Sequence, residues 1–344
     1  MGRFEDLGLV ESIRKRPSMY VGSTEFFGFI NYLVSGFDLM LHHGASWIEI
    51  QPGDDIKPWV IRSDANLPLE LNEKEQVKIF ETYDYAETEY EKPNSLPPLF
   101  DAYIFYALSE EFELKAISDG KQITLKARCG EKGVFEQIPV NDSSSTVVIE
   151  FHPDTYIFSV TEASIRNLHS YCRRNSTLYP GVSYRIKTGD ELVEYKSENG
   201  LTEFFESMVH PYQVLHKPIH VQEMEDDLKV EAVFALHSWS EDYIVTFANK
   251  GRVPLGGTHL AGFIEAVAQL RSEANVHAGN IGILAIEHPD ITFEGCIKGR
   301  VGNPEFRDLV HKLISHGIQK WSEANPEEAR LMQMVERFQF ADIW

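Results

Sequence analysis

The most regular hydrophobic pattern in the chain lies between residues 25 and 43, where apolar side chains recur every three or four positions. The apolar residues of this pattern are Ile30, Leu33, Val34, Phe37 and Leu41. Because an α-helix has about 3.6 residues per turn, this spacing places all of them on one side. The pattern therefore predicts an amphipathic helix over residues 25–43 with one face in a core.

Alternation of apolar and polar residues follows this helix and predicts strands. The first two strands, at 47–51 and 59–63, flank a turn-like Pro-Gly-Asp-Asp sequence at residues 52–55. The patterns beyond residue 98 predict helices at 99–109 and 160–175 and strands at 113–118, 122–128, 146–151 and 183–188. Helices mixed with hairpins of this kind indicate an α+β domain.

A second half of the chain begins near Met208, because Pro211 and Pro218 interrupt the pattern before it restarts. It contains predicted strands at 228–236, 243–249 and 281–287 and predicted helices at 259–271 and 304–322. We expect Asn303 to cap the last helix, since proline and an acidic residue follow it. The sequence therefore predicts two domains, residues 1–207 and 208–344, each long enough to bury its own core.

Composition and charge narrow the function classes. The 344 residues carry a formal net charge of -21, and residues 61–120 contain fourteen Asp and Glu against five Lys and Arg. Nucleic-acid affinity rests mainly on cations that neutralise phosphates, so direct DNA binding by the whole surface is not expected. The acidic segment is interpreted as a solvated face, and the alternative is a surface that imitates DNA or binds a basic partner.

The cysteines and the apolar segments indicate the cellular compartment of the protein. Cys129, Cys172 and Cys296 are odd in number and far apart, which fits neither a disulfide framework nor a metal site. The N-terminal residues lack the order of a signal peptide, and the longest apolar stretch, residues 26–41, is too short and too polar to span a bilayer. We therefore expect a cytoplasmic protein with reduced thiols and no membrane span.

Several short motifs follow one another along the chain. They are RKRPSMYVG at residues 14–22, YALS at 106–109, FHPD at 151–154, GGTHLAGF at 256–263, FEGCIK at 293–298 and GNPE at 302–305. In this order they resemble the ATPase and transducer region of type IIA topoisomerase B subunits, the family of DNA gyrase B and topoisomerase IV B. The resemblance extends over nearly the whole chain.

The resemblance implies both a fold and a limit on activity. The implied fold is a Bergerat (GHKL) ATPase-like α/β sandwich followed by a transducer domain like ribosomal S5 domain 2. The acidic Toprim signature that holds Mg²⁺ for DNA cleavage is not found in this sequence. We therefore do not expect the chain to cut DNA by itself.

The residues that hydrolyse ATP in the family are replaced in this chain. The resemblance places the general-base glutamate at Ser35 and the Mg²⁺-holding asparagine at Leu39. Serine is a poor base and leucine has no lone pair, so we predict no catalytic base and no metal ligand at these positions. Asp38 matches the family's aspartate beside that asparagine, and we interpret it as a structural carboxylate.

The nucleotide-binding motifs are altered as well. Asp64 matches the aspartate that reads adenine, but Ala65, Asn66 and Leu67 follow it where the family has closely spaced glycines. In place of the glycine-rich phosphate loop stands NSLPPLF at residues 94–100, whose prolines have no N–H to donate. The resemblance leaves four nucleotide-binding candidates: Tyr20, Asp64, Thr146 and Lys298, of which Lys298 matches the transducer lysine that reaches the terminal phosphate.

The glycines of these motifs are predicted to serve structure. Gly22, Gly256 and Gly257 suit turns, and Thr258 with His259 suits the start of a helix. His259 has no nucleophile and no metal ligands near it in the sequence, which argues against a catalytic role.

The preferred hypothesis is a pseudo-ATPase, a gyrase-B-like scaffold that dimerises through its N-terminal residues 1–22 or binds a topoisomerase-like protein. ATP and Mg²⁺ would be cofactors only if the substituted site still functions. One alternative is an active fragment of a type II topoisomerase B subunit that binds and splits ATP. A second alternative is an acidic binding module that competes with DNA for a basic groove.

Overall fold

The computed structural model describes residues 8–54, 56–67, 99–118, 120–131, 133–141, 146–158, 165–209, 214–238, 241–268, 270, 278–294 and 299–334. The chain forms two compact units, and the division between them falls between Glu198 and Asn199. The predicted domain limit, after residue 207, lies slightly further along the chain. Both units combine helices with mixed sheets, which confirms the predicted α+β class.

The first unit is built from helices and a large sheet. Its helices are α1 (Leu9–Lys15), α2 (Ser18–Val21), α3 (Phe26–His42), α4 (Leu99–Ala107) and α5 (Ile165–Leu178). Its strands are β1 (Trp47–Gln51), β2 (Trp59–Ser63), β3 (Ser109–Ser118), β4 (Lys121–Arg128), β5 (Val134–Pro139), β6 (Thr146–Pro153), β7 (Ser183–Thr188) and β8 (Glu191–Tyr195). The helix predicted at residues 25–43 thus corresponds to α3, and the strands predicted at 47–51 and 59–63 correspond to β1 and β2.

The eight strands form one sheet in the order β5-β4-β3-β6-β2-β1-β7-β8. Strands β1 and β7 pair in parallel, and the other neighbouring pairs are antiparallel. Burial alternates along β1 and β6, so one face of each strand contributes to the core and the other does not. Strands β3 and β4 form a hairpin in which Ser118 pairs with Lys121.

A cluster of aromatic rings fills the core between the helices and this sheet. The Tyr32 ring of α3 stacks on Phe105 of α4 with ring centroids 4.9 Å apart. Phe105 in turn meets Phe151 of β6 edge to face at 4.6 Å, and Phe29 meets Trp59 of β2 at 5.5 Å. Contacts of this geometry add stability beyond the burial of apolar area, and they fix the distance of α3 from the sheet.

The N-terminal helix α1 is held to this unit by a buried ion pair. The Arg14 guanidinium lies 2.5 Å from the Asp154 carboxylate and donates a second hydrogen bond, at 2.7 Å, to the Ala107 carbonyl oxygen. The Asp154 carboxylate also accepts a hydrogen bond from the Tyr156 backbone N–H. Asp154 is fully buried, so α1 closes over a charge that water cannot reach.

The second unit is a five-stranded sheet with helices. Its helices are α6 (Leu201–Val209), α7 (Thr258–Ala268), α8 (Glu305–Ala324) and α9 (Pro326–Met334). Its strands are β9 (Ile219–Glu225), β10 (Leu228–His237), β11 (Tyr243–Ala248), β12 (Gly251–Arg252) and β13 (Gly279–Glu287), with β14 (Phe293–Glu294) and β15 (Arg300–Val301) forming a separate pair. The main sheet has the order β12-β11-β13-β10-β9, and only β11 and β13 pair in parallel among its neighbours.

The two-residue strands β12, β14 and β15 were not predicted from the sequence, nor were three longer strands, β5, β8 and β9, each of which lies at the edge of a sheet. Strand β5 is exposed at five of its six positions, strand β8 is half-buried at most, and strand β9 turns polar after Val221. Edge strands bury little apolar surface, so their sequences carry a weak alternation signal.

The predicted capping of α8 by Asn303 is wrong. Pro304 occupies the N-cap position, and no side chain caps the helix. Asn303 instead accepts a hydrogen bond from the Thr292 N–H at 2.5 Å and donates to the Asp290 carbonyl oxygen at 3.1 Å. Its amide therefore connects the segment before β14 to the start of α8.

We expect Arg14→Ala to lower the free energy of unfolding by about 2–4 kcal/mol, because it leaves the buried Asp154 carboxylate without its cationic partner. Lys15→Ala is the matched control, since the ion pair of Lys15 with Glu11 is solvent-exposed and should contribute under about 0.5 kcal/mol. Urea unfolding of both variants measures the difference. Equal effects of the two substitutions would show that Arg14 does not anchor α1.

Candidate functional site

Helix α3 places the two positions implied for catalysis inside the core. The Ser35 side chain is 4% exposed, and its hydroxyl donates a 2.7 Å hydrogen bond to the Tyr32 carbonyl oxygen one turn earlier. Leu39, four residues on and so on the same helix face, is 1% exposed and packs in the aromatic core. Neither position therefore presents a base or a metal ligand to solvent.

The space beside these positions is closed by α4 and β2. A Cβ atom added at Gly36 would lie 2.9 Å from Ile61 Cδ1 and 3.2 Å from the Phe105 ring, so α3 tolerates no side chain there without displacement. The Tyr32 hydroxyl and the Ser109 hydroxyl form a 2.7 Å hydrogen bond, and burial raises the Tyr32 pKa well above its ordinary value. This side of α3 is thus a packed interface.

Asp38 lies on the partly exposed side of the same helix. Its negative charge acts on two buried phenols, Tyr171 of α5 and Tyr184 of β7. Burial is the main cause that raises the pKa of both hydroxyls, and the Asp38 carboxylate adds to it. Its surroundings are therefore side chains of the protein's own core, in keeping with the structural role expected of it.

Asp64, the residue implied for adenine recognition, connects the end of β2 to the start of β1 by hydrogen bonds. It directly follows β2, and its Oδ1 accepts hydrogen bonds from the Ser46 N–H at 2.9 Å and the Trp47 N–H at 3.2 Å at the start of β1. Its Oδ2 accepts a short hydrogen bond from the Ser46 hydroxyl. Partial burial acts to raise the Asp64 pKa, but these hydrogen bonds outweigh it and hold the pKa below its usual value. Both carboxylate oxygens are thus already engaged within the chain.

Of the other nucleotide-binding candidates, Thr146 lies beside Asp64, because Val147 of β6 pairs with Ser63 of β2. Tyr20 is half-buried on α2 and packs against the core, and Thr146 opens β6 opposite Ile117. Lys298 lies outside the described residues, as does the altered phosphate-loop segment up to residue 98. Gly22 ends α2 in the left-handed region, with φ of 83°, which supports its predicted role in a turn.

The Gly-Gly-Thr-His sequence forms the entry to α7 in the second unit. Gly257 makes a parallel bridge to Val301, and a Cβ atom at Gly257 would lie 2.2 Å from the Val301 carbonyl oxygen. Gly256 has a φ of 62°, and its carbonyl accepts a 2.9 Å hydrogen bond from the Val301 N–H. Only glycine permits so close an approach at Gly257 and a φ of this sign at Gly256 without strain, so the backbone at the entry to α7 depends on both glycines.

His259 is the second residue of α7 and is completely buried. Burial lowers its pKa to about 4, which keeps the imidazole neutral at physiological pH. Among the residues that the structure describes, no hydrogen-bond partner is found for either ring nitrogen of His259 or for the Thr258 hydroxyl.

Neither a metal cluster nor a membrane helix is found in the part of the chain that the structure describes. No group of three or more His, Cys, Asp or Glu side chains there could hold a metal ion. Likewise, no described helix combines the length and apolar composition that crossing a bilayer requires. Ser35 and Leu39 also do not fit an Mg²⁺–ATP complex, because the Leu39 side chain has no ligand atom and the Ser35 hydroxyl is buried against the Tyr32 carbonyl oxygen.

A cavity of about 480 Å³ lies elsewhere in the first unit. It is lined by residues of β3, β4 and β6, including Glu111, Glu113, Lys126, Arg128 and Glu150. Its lining includes none of the residues implied for nucleotide binding.

The residues of two internal contacts stand out in the sequence, but the contacts themselves were not predicted. Arg14 lies in the first motif and Asp154 in the third, yet they are 140 residues apart, so no local pattern predicts their ion pair. Asp64 and Ser46 are separated by the whole β1–β2 hairpin. A hairpin prediction that brings the end of β2 beside the start of β1 would have suggested that contact.

Comparison with known proteins identifies relatives of the chain. The family model described as DNA gyrase B matches residues 200–341. The DNA gyrase B protein of Haloferax volcanii is 27% identical over 95% of this chain, and that of Thermotoga maritima is 26% identical over 92%. The chain spans only 57% and 56% of the length of these two relatives.

Solved structures resemble the fold. The 43K ATPase domain of Thermus thermophilus gyrase B, in complex with an aminocoumarin, matches with a TM-score of 0.77 and 19% identity, covering 95% of this chain and 93% of that one. The gyrase B-subunit of Myxococcus xanthus matches with a TM-score of 0.75, covering 95% and 99%. The resemblance to the ATPase and transducer region of type IIA topoisomerase B subunits is confirmed, and so is the fold class of a GHKL sandwich followed by a transducer.

We expect Leu39→Asn, the substitution that supplies the family's metal ligand, to lower the free energy of unfolding by about 3 kcal/mol, because it buries an amide in an apolar core. Leu255→Asn is the matched control, since Leu255 is 66% exposed and the same exchange there should cost under about 0.5 kcal/mol. Chemical denaturation measures both. A harmless Leu39→Asn would mean that this face of α3 is open to solvent.

Proposed function

We propose that this chain is a gyrase-B-like ATPase and transducer scaffold that does not hydrolyse ATP and that acts by dimerising or by binding a regulatory protein partner. The observation that carries the proposal is the burial of Ser35 and Leu39 in the packed interface of α3. A general base must reach the attacking water, and a metal ligand must reach an ion on the phosphates. Serine and leucine, enclosed as they are, supply neither function.

Asp64 supports the same proposal independently. Its carboxylate oxygens accept hydrogen bonds from Ser46 and Trp47, so an adenine amino group would have to share an oxygen with one of these donors. Displacing a donor would loosen the β1–β2 hairpin. The base-binding position is therefore used to hold the fold.

The packing of the described residues supports a role as a scaffold. The described residues of each unit form an apolar core, and Ile13 and Val21 of the N-terminal residues 8–22 pack in the core of the first unit. An arm that reaches a second protomer would therefore consist of residues before Gly8. The relatives that match nearly the whole chain are DNA gyrase B proteins. A connection of this chain to DNA topology is therefore part of the proposal.

The direct test is steady-state ATP turnover by the purified chain with Mg²⁺, alone and with DNA, beside gyrase B of Thermotoga maritima as positive control. We expect turnover at background in the wild-type chain, in Lys298→Ala and in Lys229→Ala, an exposed lysine of the second unit that serves as matched control. Sedimentation of the same samples should give one oligomeric state that nucleotide does not change.

Two results would contradict the proposal. Turnover that Lys298→Ala abolishes and Lys229→Ala leaves intact would establish the alternative, an active ATPase of the gyrase B type. Dimerisation that requires ATP would equally show that nucleotide binding still drives closure.

A further inference from the structure

The connection between α6 and β9 contains a buried histidine whose two ring nitrogens both have hydrogen-bond partners. This residue, His216, is 7% exposed. Its Nδ1 lies 2.6 Å from the Lys217 carbonyl oxygen, and its Nε2 accepts a hydrogen bond from the Leu236 N–H at 2.9 Å. The imidazole therefore joins this connection to the end of β10.

These two partners fix the protonation of the His216 ring. A carbonyl oxygen can only accept a hydrogen bond, so Nδ1 must carry a proton. A backbone N–H can only donate, so Nε2 must carry none. His216 is thus a neutral imidazole in a single tautomer, and a proton added at Nε2 removes the contact with Leu236.

Backbone contacts hold residues 214–217 beside the same end of β10. The Leu215 N–H donates to the Leu236 carbonyl oxygen at 2.9 Å, and Val214 forms an antiparallel bridge with His237. Both contacts involve the last two residues of β10, next to the point where His216 accepts from Leu236. Loss of the His216 contact would therefore loosen residues 214–217 at their junction with the strand.

The elements packed beside the ring present neutral groups to it. Trp321 of α8 meets His216 edge to face, with ring centroids 6.0 Å apart. On β10 the backbone of Leu236 contacts Nε2, and the next residue, His237, turns its own Nε2 to the Glu241 carbonyl oxygen at 3.0 Å. In the described residues of α8 and β10, these contacts bring no negative charge to the ring.

One carboxylate, that of Glu328 on α9, favours a positive charge on His216. It already pairs with the Lys217 ammonium group, whose Nζ lies 3.2 Å from Oε1. Burial has the largest effect on the ring and lowers the His216 pKa, whereas the Lys217 carbonyl and Glu328 act to raise it. The net direction is downward, so the folded chain favours the neutral ring.

We propose that residues 214–217 form a pH-sensitive latch, which is closed while His216 Nε2 is unprotonated and opens when that nitrogen binds a proton. A protonated Nε2 would face the Leu236 N–H, so two donors would meet in a buried place and the hydrogen bond would be lost. The opened ring reaches water, which solvates the imidazolium. Opening frees the connection between α6 and β9 and separates Lys217 from Glu328 of α9.

The direction of the pH dependence follows from the linkage between protonation and opening. The opened latch binds a proton near the ordinary histidine pKa of about 6.5, and the closed latch binds it only at lower pH. The latch is therefore most stable above about pH 6.5 and opens progressively as the pH falls below that value. This device goes beyond the proposed function, because it concerns the second unit alone and does not depend on ATP chemistry.

The test is hydrogen–deuterium exchange of the full chain at about pH 7.5 and about pH 5.5, corrected for the intrinsic pH dependence of amide exchange. We expect the protection of the Leu215 and Leu236 amides to fall by about three- to tenfold at the lower pH, because the ordinary histidine pKa sets the upper limit. His216→Asn should abolish this response, since its amide does not titrate. His220→Asn is the matched control, because it replaces a solvent-exposed histidine on β9, and it should keep the wild-type response.

Three exchange results would overturn the proposal. They are equal protection of these amides at both pH values in the wild-type chain, a pH response that His216→Asn retains, and exchange of Leu215 only together with β13, which would mean that the latch opens with the whole unit. NMR of the histidine rings in the wild-type chain gives a second readout. A His216 ring with its proton on Nδ1 and a pKa below about 6.5 supports the latch, and the other tautomer or a higher pKa overturns it.

Discussion

The contact of α3 with α4 and the central strands determines where Ser35 and Leu39 lie. Tyr32 stacks on Phe105, Phe105 meets Phe151, and Gly36 leaves no room between α3 and its neighbours. This aromatic packing fixes the orientation of α3. Once that orientation is set, the Ser35 and Leu39 side chains are buried in the core and are not open to solvent.

Several residues of the sequence motifs make contacts that hold the fold together. Arg14 and Asp154 join α1 to the end of β6, and Asp64 joins β2 to β1. Gly256 and Gly257 allow the start of α7 to approach Val301. Each of these contacts connects elements that are distant in sequence, so each is expected to matter for folding whether or not ATP is bound.

Much of the fold was predictable from the sequence because long amphipathic elements carry strong periodic signals. The pattern from Ile30 to Leu41 identified α3, and alternation at residues 47–51 identified β1. The edge strands β5 and β9 were missed because they bury little, and the role of Asn303 was misassigned because its partners come from the segment before β14. Pairings across a hundred residues, such as Arg14 with Asp154, leave no local signal.

The hypothesis that catalytic groups are missing also came from the sequence, because the resemblance places the family's base at Ser35 and its metal ligand at Leu39. It did not predict that Asp64 is committed to Ser46, because that contact depends on the geometry of a hairpin. The central claim is that the chain has no working nucleotide site. Calorimetric titration of the purified chain with a non-hydrolysable ATP analogue and Mg²⁺ tests it most directly. We predict no saturable heat of binding up to millimolar analogue. A saturable, Mg²⁺-dependent isotherm would show that the chain still has a nucleotide site.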